Sequence, residues 1–402
     1  MKPRKAVLNI LLVGMSAAFG LLLCEAGSRL LLDPADYLAV ELVEDQILGK
    51  ALPPGARGYD EWGFRNRRVP STADIVAIGD SHTFGNTAKR DESWPYVLGL
   101  LTGKSVYNLA MGGYGPNQYY HLFNTRALRL RPQVIICGLY MGDDFDNAFR
   151  ITYGLPYWSF LRTLPLETVD ADIWEVPDKS SWHNGIRVWL SSHSVIYQIA
   201  FHASLVGRLN GRVQIENASR LYDSATSLTL RDRNIAEAFV PRGPLRGLDQ
   251  EKESVREGLR ITLKLLSQMN EISLQRNIRF IVVVIPTKEM VFSGYLEHAS
   301  NLKLADVIQK LILSERIARD KIFTFFRESN IQYIDVLPAL QGAVGGDIYA
   351  RSSRDMHPSK NGYKVIAEVV ADFLQKEEVK HHSGMHTVPG TSVSRQVHGH
   401  DL

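Results

Sequence analysis

Five short apolar runs, at residues 75–78, 106–109, 134–140, 280–285 and 333–336, alternate along the chain with segments of helical periodicity. Each run is too short for a helix and rich in the side chains that suit a buried strand. The helical segments lie near 94–101, 118–128, 252–275, 314–328 and 360–375, and in the third of them Val255, Leu259, Leu263, Leu266 and Met269 form one apolar stripe, with Asp249 placed to cap it. Strands without polar alternation, each followed by an amphipathic helix, predict an α/β fold: a five-stranded parallel sheet flanked by helices on both faces. Ligands of such sheets bind beyond the carboxyl ends of the strands, so the loops after the five runs are where chemistry is expected.

The interval from Tyr140 to Phe280 breaks the alternation, because a crossover needs only about a dozen residues. It predicts a large helical insertion or lid at 151–274, leading into a helix that packs on the sheet. The insertion holds Tyr153, Tyr157, Trp158, Trp174, Trp182 and Trp189. Aromatic faces suit sugar rings and acyl chains, but a small lid also needs an apolar core of its own, and that second use is the expected one.

At the N-terminus Lys2, Arg4 and Lys5 precede residues 6–24, which carry no charged side chain. A bilayer core of about 30 Å needs ~20 helical residues, and cationic flanks stay on the cytoplasmic side. Residues 1–32 are therefore expected to be a retained signal anchor, single-pass in the inner membrane, with the rest of the chain in the periplasm or outside the cell. A cleaved signal peptide is the alternative, although Cys24-Glu25-Ala26 fits the cleavage pattern poorly. Residues 33–150 and 275–376 are left for the catalytic domain. Residues 377–402 are polar, contain His381, His382 and His386, and lack periodicity, so they are expected to be a disordered tail. Two cysteines, Cys24 and Cys137, exclude a disulfide framework or a four-cysteine zinc site. A balance of 46 Lys and Arg against 43 Asp and Glu argues against nucleic acid as a partner.

Two loops carry chemistry. Gly79-Asp80-Ser81-His82-Thr83-Phe84-Gly85 follows the first run and sets a serine at a strand-to-turn corner. A serine is a poor nucleophile without an adjacent base, so a histidine must come from another loop. Arg354-Asp355-Met356-His357-Pro358 follows the last run and supplies one. A histidine, with a reference pKa of about 6.5, suits general base work, and Asp355 is placed to hold its other ring nitrogen. Singly, each motif has a plainer use: Ser81 or Asp355 as a helix cap, His357 as an exposed loop residue.

Together, Ser81 near the start and Asp355-x-His357 near the end resemble the SGNH (GDSL-like) hydrolase superfamily. The Asp-x-His spacing departs from the Asp-x-x-His usual in GDSL esterases and resembles the periplasmic alginate O-acetyltransferase-like subgroup, as do Asp60-Glu61-Trp62-Gly63-Phe64-Arg65 and the run Tyr107 to Gly115. The resemblance covers residues 62–150 and 280–370. It implies a flavodoxin-like three-layer fold, Ser81 as nucleophile, His357 as base, Asp355 as its orienting partner, and backbone N–H groups of Ser81 and Gly113 facing the oxyanion. It implies no metal and no organic cofactor. In the third block the family keeps an asparagine amide, where this chain has Gly142-Asp143-Asp144-Phe145-Asp146-Asn147. An ionised Asp143 repels developing negative charge, a protonated one can donate, and Asn147 can substitute; the plainer use of Asp143 and Asp144 is to cap the main chain after the strand. Lys288, in Pro286-Thr287-Lys288-Glu289 after the fourth run, reaches the same edge and could neutralise an acidic substituent; the plainer reading has Thr287 as a helix cap with Lys288 on the first turn. The function implied is a serine esterase acting on acyl, most simply O-acetyl, esters of a cell-envelope or exported glycan. The alternatives are an exopolysaccharide O-acetyltransferase or a catalytically silent glycan-binding assembly protein. The implied partners are an acylated carbohydrate or other ester, the membrane through the N-terminal helix, and envelope polysaccharide machinery.

Overall fold

The computed structural model describes residues 2–38, 42–56, 58–166, 182–203, 226–230, 235–298, 304–349 and 355–384. Strands β1 (Val43–Asp45) and β2 (Gly49–Ala51) form a small antiparallel hairpin ahead of the main sheet. The five apolar runs are strands β3 (Ile75–Gly79), β4 (Val106–Ala110), β5 (Val134–Tyr140), β8 (Arg279–Ile285) and β9 (Gln332–Asp335), while β6 (Thr226–Leu230) and β7 (Ile235–Phe239) pair as a second hairpin within the insertion. The main sheet has the order β4-β3-β5-β8-β9, and every neighbouring pair is parallel. Ile75 pairs with both Val106 and Val134, and Val134 with Arg279, so the strands start level and their carboxyl ends form one edge.

These runs are strands because both faces of each are covered. Ile75, Val76, Ala77 and Ile78 are all fully buried. Val76, Ile78, Ile135, Cys137 and Val282 face a core shared with helices Pro116–Thr125, Glu253–Gln275 and Ala305–Glu328, whereas Ile75, Ala77, Ile136 and Val283 face a second core with helices Trp94–Thr102 and Lys360–Gly384. At roughly 1.5–3 kcal/mol for each aliphatic side chain taken from water, two such faces hold the sheet without polar help. The chain leaves β3 for β4 on one side and returns to β5 on the other, which opens a crevice at the carboxyl ends of β3 and β5.

Three boundaries differ from the sequence expectation. Helix Glu253–Gln275 has Lys252 at its cap, and Asp249 instead ends helix Arg242–Leu248 and pairs with Lys310 at 3.0 Å. The last helix runs past 376 to Gly384, because Lys360–Gly384 keeps its backbone pattern into the polar stretch; residues 385–402, with His386, lie outside the described residues. The insertion is mixed rather than helical, since it holds the β6–β7 hairpin beside helices Trp182–His193 and Val195–Ala203. Its Trp158 is core: it packs with Phe149, Tyr153, Leu161, Ile261 and Leu265, and its indole N–H donates to the Ile47 carbonyl at 2.8 Å. Trp174 and the Trp182 side chain lie outside what is described. At the N-terminus, helix Lys2–Leu31 contains a segment, Val7–Leu31, long and apolar enough to cross a membrane, none of it buried against the protein.

Candidate active site

Ser81 opens the short helix Ser81–Phe84 directly after β3. Asp80 is its N-cap, extended at φ −90°, and accepts the His82 backbone N–H at 2.9 Å. The corner depends on Gly79, where a Cβ would stand 2.1 Å from Thr83 Oγ1 and 3.2 Å from the Gly138 carbonyl, so Thr83 could not fold back across the strand ends. The loop bearing His357 is stapled onto this corner. Thr87 Oγ1 donates to the Pro358 carbonyl at 2.7 Å, the Tyr363 hydroxyl donates to the Asn86 carbonyl at 2.9 Å, and Tyr349 bridges to Pro358.

That docking brings together residues 276 positions apart: His357 Nε2 lies 2.7 Å from Ser81 Oγ. His357 Nδ1 is 2.5 Å from Asp355 Oδ1, which also accepts the His357 backbone N–H at 2.9 Å. Burial would raise the Asp355 carboxyl, but these bonds from His357 outweigh it and hold the group below the usual carboxylate range. Asp355 is thus an ionised acceptor that fixes Nδ1–H and leaves Nε2 facing the serine hydroxyl.

A second histidine lies beneath the first and was not singled out by the sequence. The His82 ring is buried, stacked on Tyr140 at 3.7 Å, 4.6 Å from the His357 ring, and joined through Nδ1 to Asp80 Oδ2 at 3.1 Å. Burial pushes its imidazole down, which favours the neutral ring beside His357. The signal available was its place immediately after Ser81 in a motif otherwise too buried for a polar ring. Asn86 was also missed. A Cβ at Gly112 would lie 3.7 Å from Ser81 Cβ and 3.9 Å from Asn86 Nδ2, which sets the Asn86 amide at the rim of the same corner. Gly113, next in the turn, has φ +79° and nothing within 4 Å of where its Cβ would be, so the left-handed backbone rather than crowding calls for glycine.

Asp80, Asp143 and Asp144 bring one carboxylate oxygen each within 4.8 Å of one another, the one grouping with metal-ligand spacing among the described residues. Asp144 Oδ1 accepts the Tyr119 hydroxyl at 2.8 Å and Oδ2 accepts the Tyr140 N–H at 2.9 Å. Asp143 stands at the cap of helix Asp144–Gly154 but makes no capping bond, and its Oδ1 is buried without a partner. Burial, reinforced by the Asp80 charge, drives Asp143 far above the usual carboxylate range, and Asp144 likewise. Asp80 is the member that stays ionised: burial opposes it, but the His82 ring and backbone N–H more than compensate. The upward direction at Asp143 favours the protonated acid, which in that form has one proton to donate. Asn147, one turn on, donates its backbone N–H to the Asp143 carbonyl at 2.8 Å, and its buried side-chain amide sits beside the Asp143 carboxyl, where it opposes the upward push of burial.

Lys288 takes the plainer of its two sequence readings, on the first turn of the helix that Thr287 caps. It is 2% exposed, its ammonium meets Glu237 of β7 at 2.7 Å, and it lies over the rings of Phe239 and Tyr349. Thr287 caps its helix by accepting the Met290 N–H at 3.1 Å. The lysine is corrected from a ligand-facing charge to the post on which the insertion hairpin rests, because burial there demands a partner and Glu237 supplies it.

No protein-family model and no curated protein matches the chain. Among the solved structures it resembles are several described as GDSL-family or SGNH hydrolases. They include a lipolytic protein of the G-D-S-L family from Desulfitobacterium hafniense (15% identity, 74% of this chain and 97% of that one, TM-score 0.37). A phospholipase A1 from Streptomyces albidoflavus matches at 12% identity, over 75% and 99% of the two chains, with a TM-score of 0.37. A catalytic mutant of an acetylxylan esterase from Geobacillus stearothermophilus matches at 12% identity, over 77% and 95%, with a TM-score of 0.33.

Proposed function

We propose that the chain is a serine esterase of the SGNH kind that acts on acyl, most simply O-acetyl, esters of a cell-envelope or exported glycan, held at the membrane by its N-terminal helix. The observation that carries the reading is the unbroken relay Ser81 Oγ, His357 Nε2, His357 Nδ1, Asp355 Oδ1, with links of 2.7 and 2.5 Å. Ser81 attacks the ester carbonyl carbon as its proton passes to His357 Nε2. Asp355 stabilises the imidazolium that forms, and His357 returns the proton to the leaving alkoxide. The tetrahedral oxyanion faces the N–H groups of Ser81 and Gly113, with neutral Asp143 as the third donor in place of the family's asparagine amide. Water then releases the acid. A glycan hydroxyl entering at that step instead gives O-acyl transfer, and the glycan itself is supported by the motif resemblance and the export-type N-terminus.

The test is labelling of the detergent-solubilised full chain with a fluorophosphonate, which needs an activated serine but no knowledge of the substrate. One adduct, mapped to Ser81, is expected, absent in Ser81→Ala and slowed at least about 100-fold in His357→Ala. Equal labelling of His357→Ala and the native chain would end the proposal.

A further inference from the structure

The insertion meets the N-terminal helix at a defined height. Glu25 accepts the Ser194 hydroxyl at 2.9 Å and the backbone N–H groups of Val195 and Ile196 at 3.1 Å each, while Arg29 Nη2 donates to the His193 carbonyl at 2.6 Å. The carboxylate therefore caps the first turn of helix Val195–Ala203, satisfying N–H groups that have no partner inside that helix. Glu25 is the first charged residue after residues 6–24. At 1.5 Å per residue that stretch spans ~29 Å, the hydrocarbon thickness of a bilayer, and Arg29 lies about 6 Å further along the axis. Whatever holds both side chains must sit at headgroup depth, and what holds them is the junction of helices Trp182–His193 and Val195–Ala203.

The same two helices carry exposed apolar side chains. Ile186 and Trp189, three apart on one helix face, are 62% and 57% exposed. Trp189 stacks on His193 at 4.9 Å, and Ile199 of the second helix is also exposed. Aliphatic and indole groups at the boundary between headgroups and acyl chains are what a lipid surface accepts, with the indole N–H left toward water.

We propose that helices Trp182–His193 and Val195–Ala203 lie on the bilayer as a monotopic element, with Ile186 and Trp189 in the boundary layer and Glu25 and Arg29 fastening the element to the membrane-spanning helix. The inference rests on the reading of the N-terminal helix as a membrane span. It gives the esterase a second membrane contact, supplied by the same insertion that reaches the active edge through Glu237 and Lys288.

The test uses the full chain in palmitoyl-oleoyl-phosphatidylcholine nanodiscs, in a Cys24→Ser background, since Cys137 is buried. Nitroxides are attached at Phe19→Cys on the anchor, at Ile186→Cys and Trp189→Cys on the element, and at Lys364→Cys on the exposed face of helix Lys360–Gly384. Power saturation then compares collisions with oxygen and with a water-soluble nickel chelate. The 186 and 189 labels are expected to favour oxygen several-fold over the 364 label, with the 19 label fully in lipid, and fluorophosphonate capture confirms that each variant is folded. Labels at 186 and 189 that match 364 while 19 stays in lipid overturn the monotopic element and leave the anchor standing. A label at 19 that meets the nickel chelate overturns the anchor, and the proposal with it.

Discussion

On the proposed reading, Asp143 stands where the resembling family keeps an amide and can still donate, because its surroundings rather than its identity set its charge. The residue is half-buried with its Oδ1 fully enclosed, and the charge nearby on Asp80 makes a second one costly. Asp143→Asn should therefore change esterase turnover by no more than about 3-fold at pH 7, since one neutral donor replaces another. The difference should open with alkali. The native carboxyl, raised in the folded state, loses its proton as pH climbs and then repels the oxyanion, so the native rate should decline while the Asn variant holds. Parallel pH profiles would show that Asp143 does not face the reaction. A gain of 10-fold or more at pH 7 would mean that the native carboxyl is already ionised.

At the scale of elements, Glu315 couples helix Ala305–Glu328 to the loop after β8. It accepts the Thr287 N–H at 3.2 Å and the Thr287 hydroxyl at 2.5 Å, and burial lifts its carboxyl from 4.5 to about 7. A group whose folded pKa is raised stabilises fully below its unfolded value and loses that contribution as pH rises through the folded one. Between about pH 4.5 and 7 the native chain should therefore lose on the order of 3 kcal/mol that a Glu315→Gln variant keeps. Urea midpoints of the two chains across that range give the comparison, and equal slopes would refute it. Periodicity made the elements themselves legible: all five strands fall within a residue or two of the apolar runs, because a strand buried on both faces has no polar alternation to obscure it. The relay was legible for a related reason, since topology sends every loop after a strand to one edge. What stayed hidden was set by partners distant in sequence. Lys288 kept a ligand-facing reading beside its helix-turn one because nothing near it announces Glu237, and His82 passed unremarked because its meaning lies in Tyr140 and His357. The cap at Asp249 failed through competition: a second short helix, Arg242–Leu248, ends there.

For the molecule as a whole, the relay has an order of assembly built into it. Ser81 follows β3, which lies inside the sheet, whereas β9 is an edge strand and His357 lies beyond it in the chain. As the polypeptide emerges, strands accrue outward from an interior that is made early, and the base arrives last, carried by the loop that Thr87 and Tyr363 staple in place. Nascent chains arrested at increasing length should thus remain inert to fluorophosphonate until residues 355–384 have cleared the exit path, and then become reactive abruptly. Gradual reactivity from chains ending before 355 would contradict this. On the proposed reading, the serine of an unfinished chain has no base beside it and stays chemically silent, and it is the last stretch of synthesis that completes the relay.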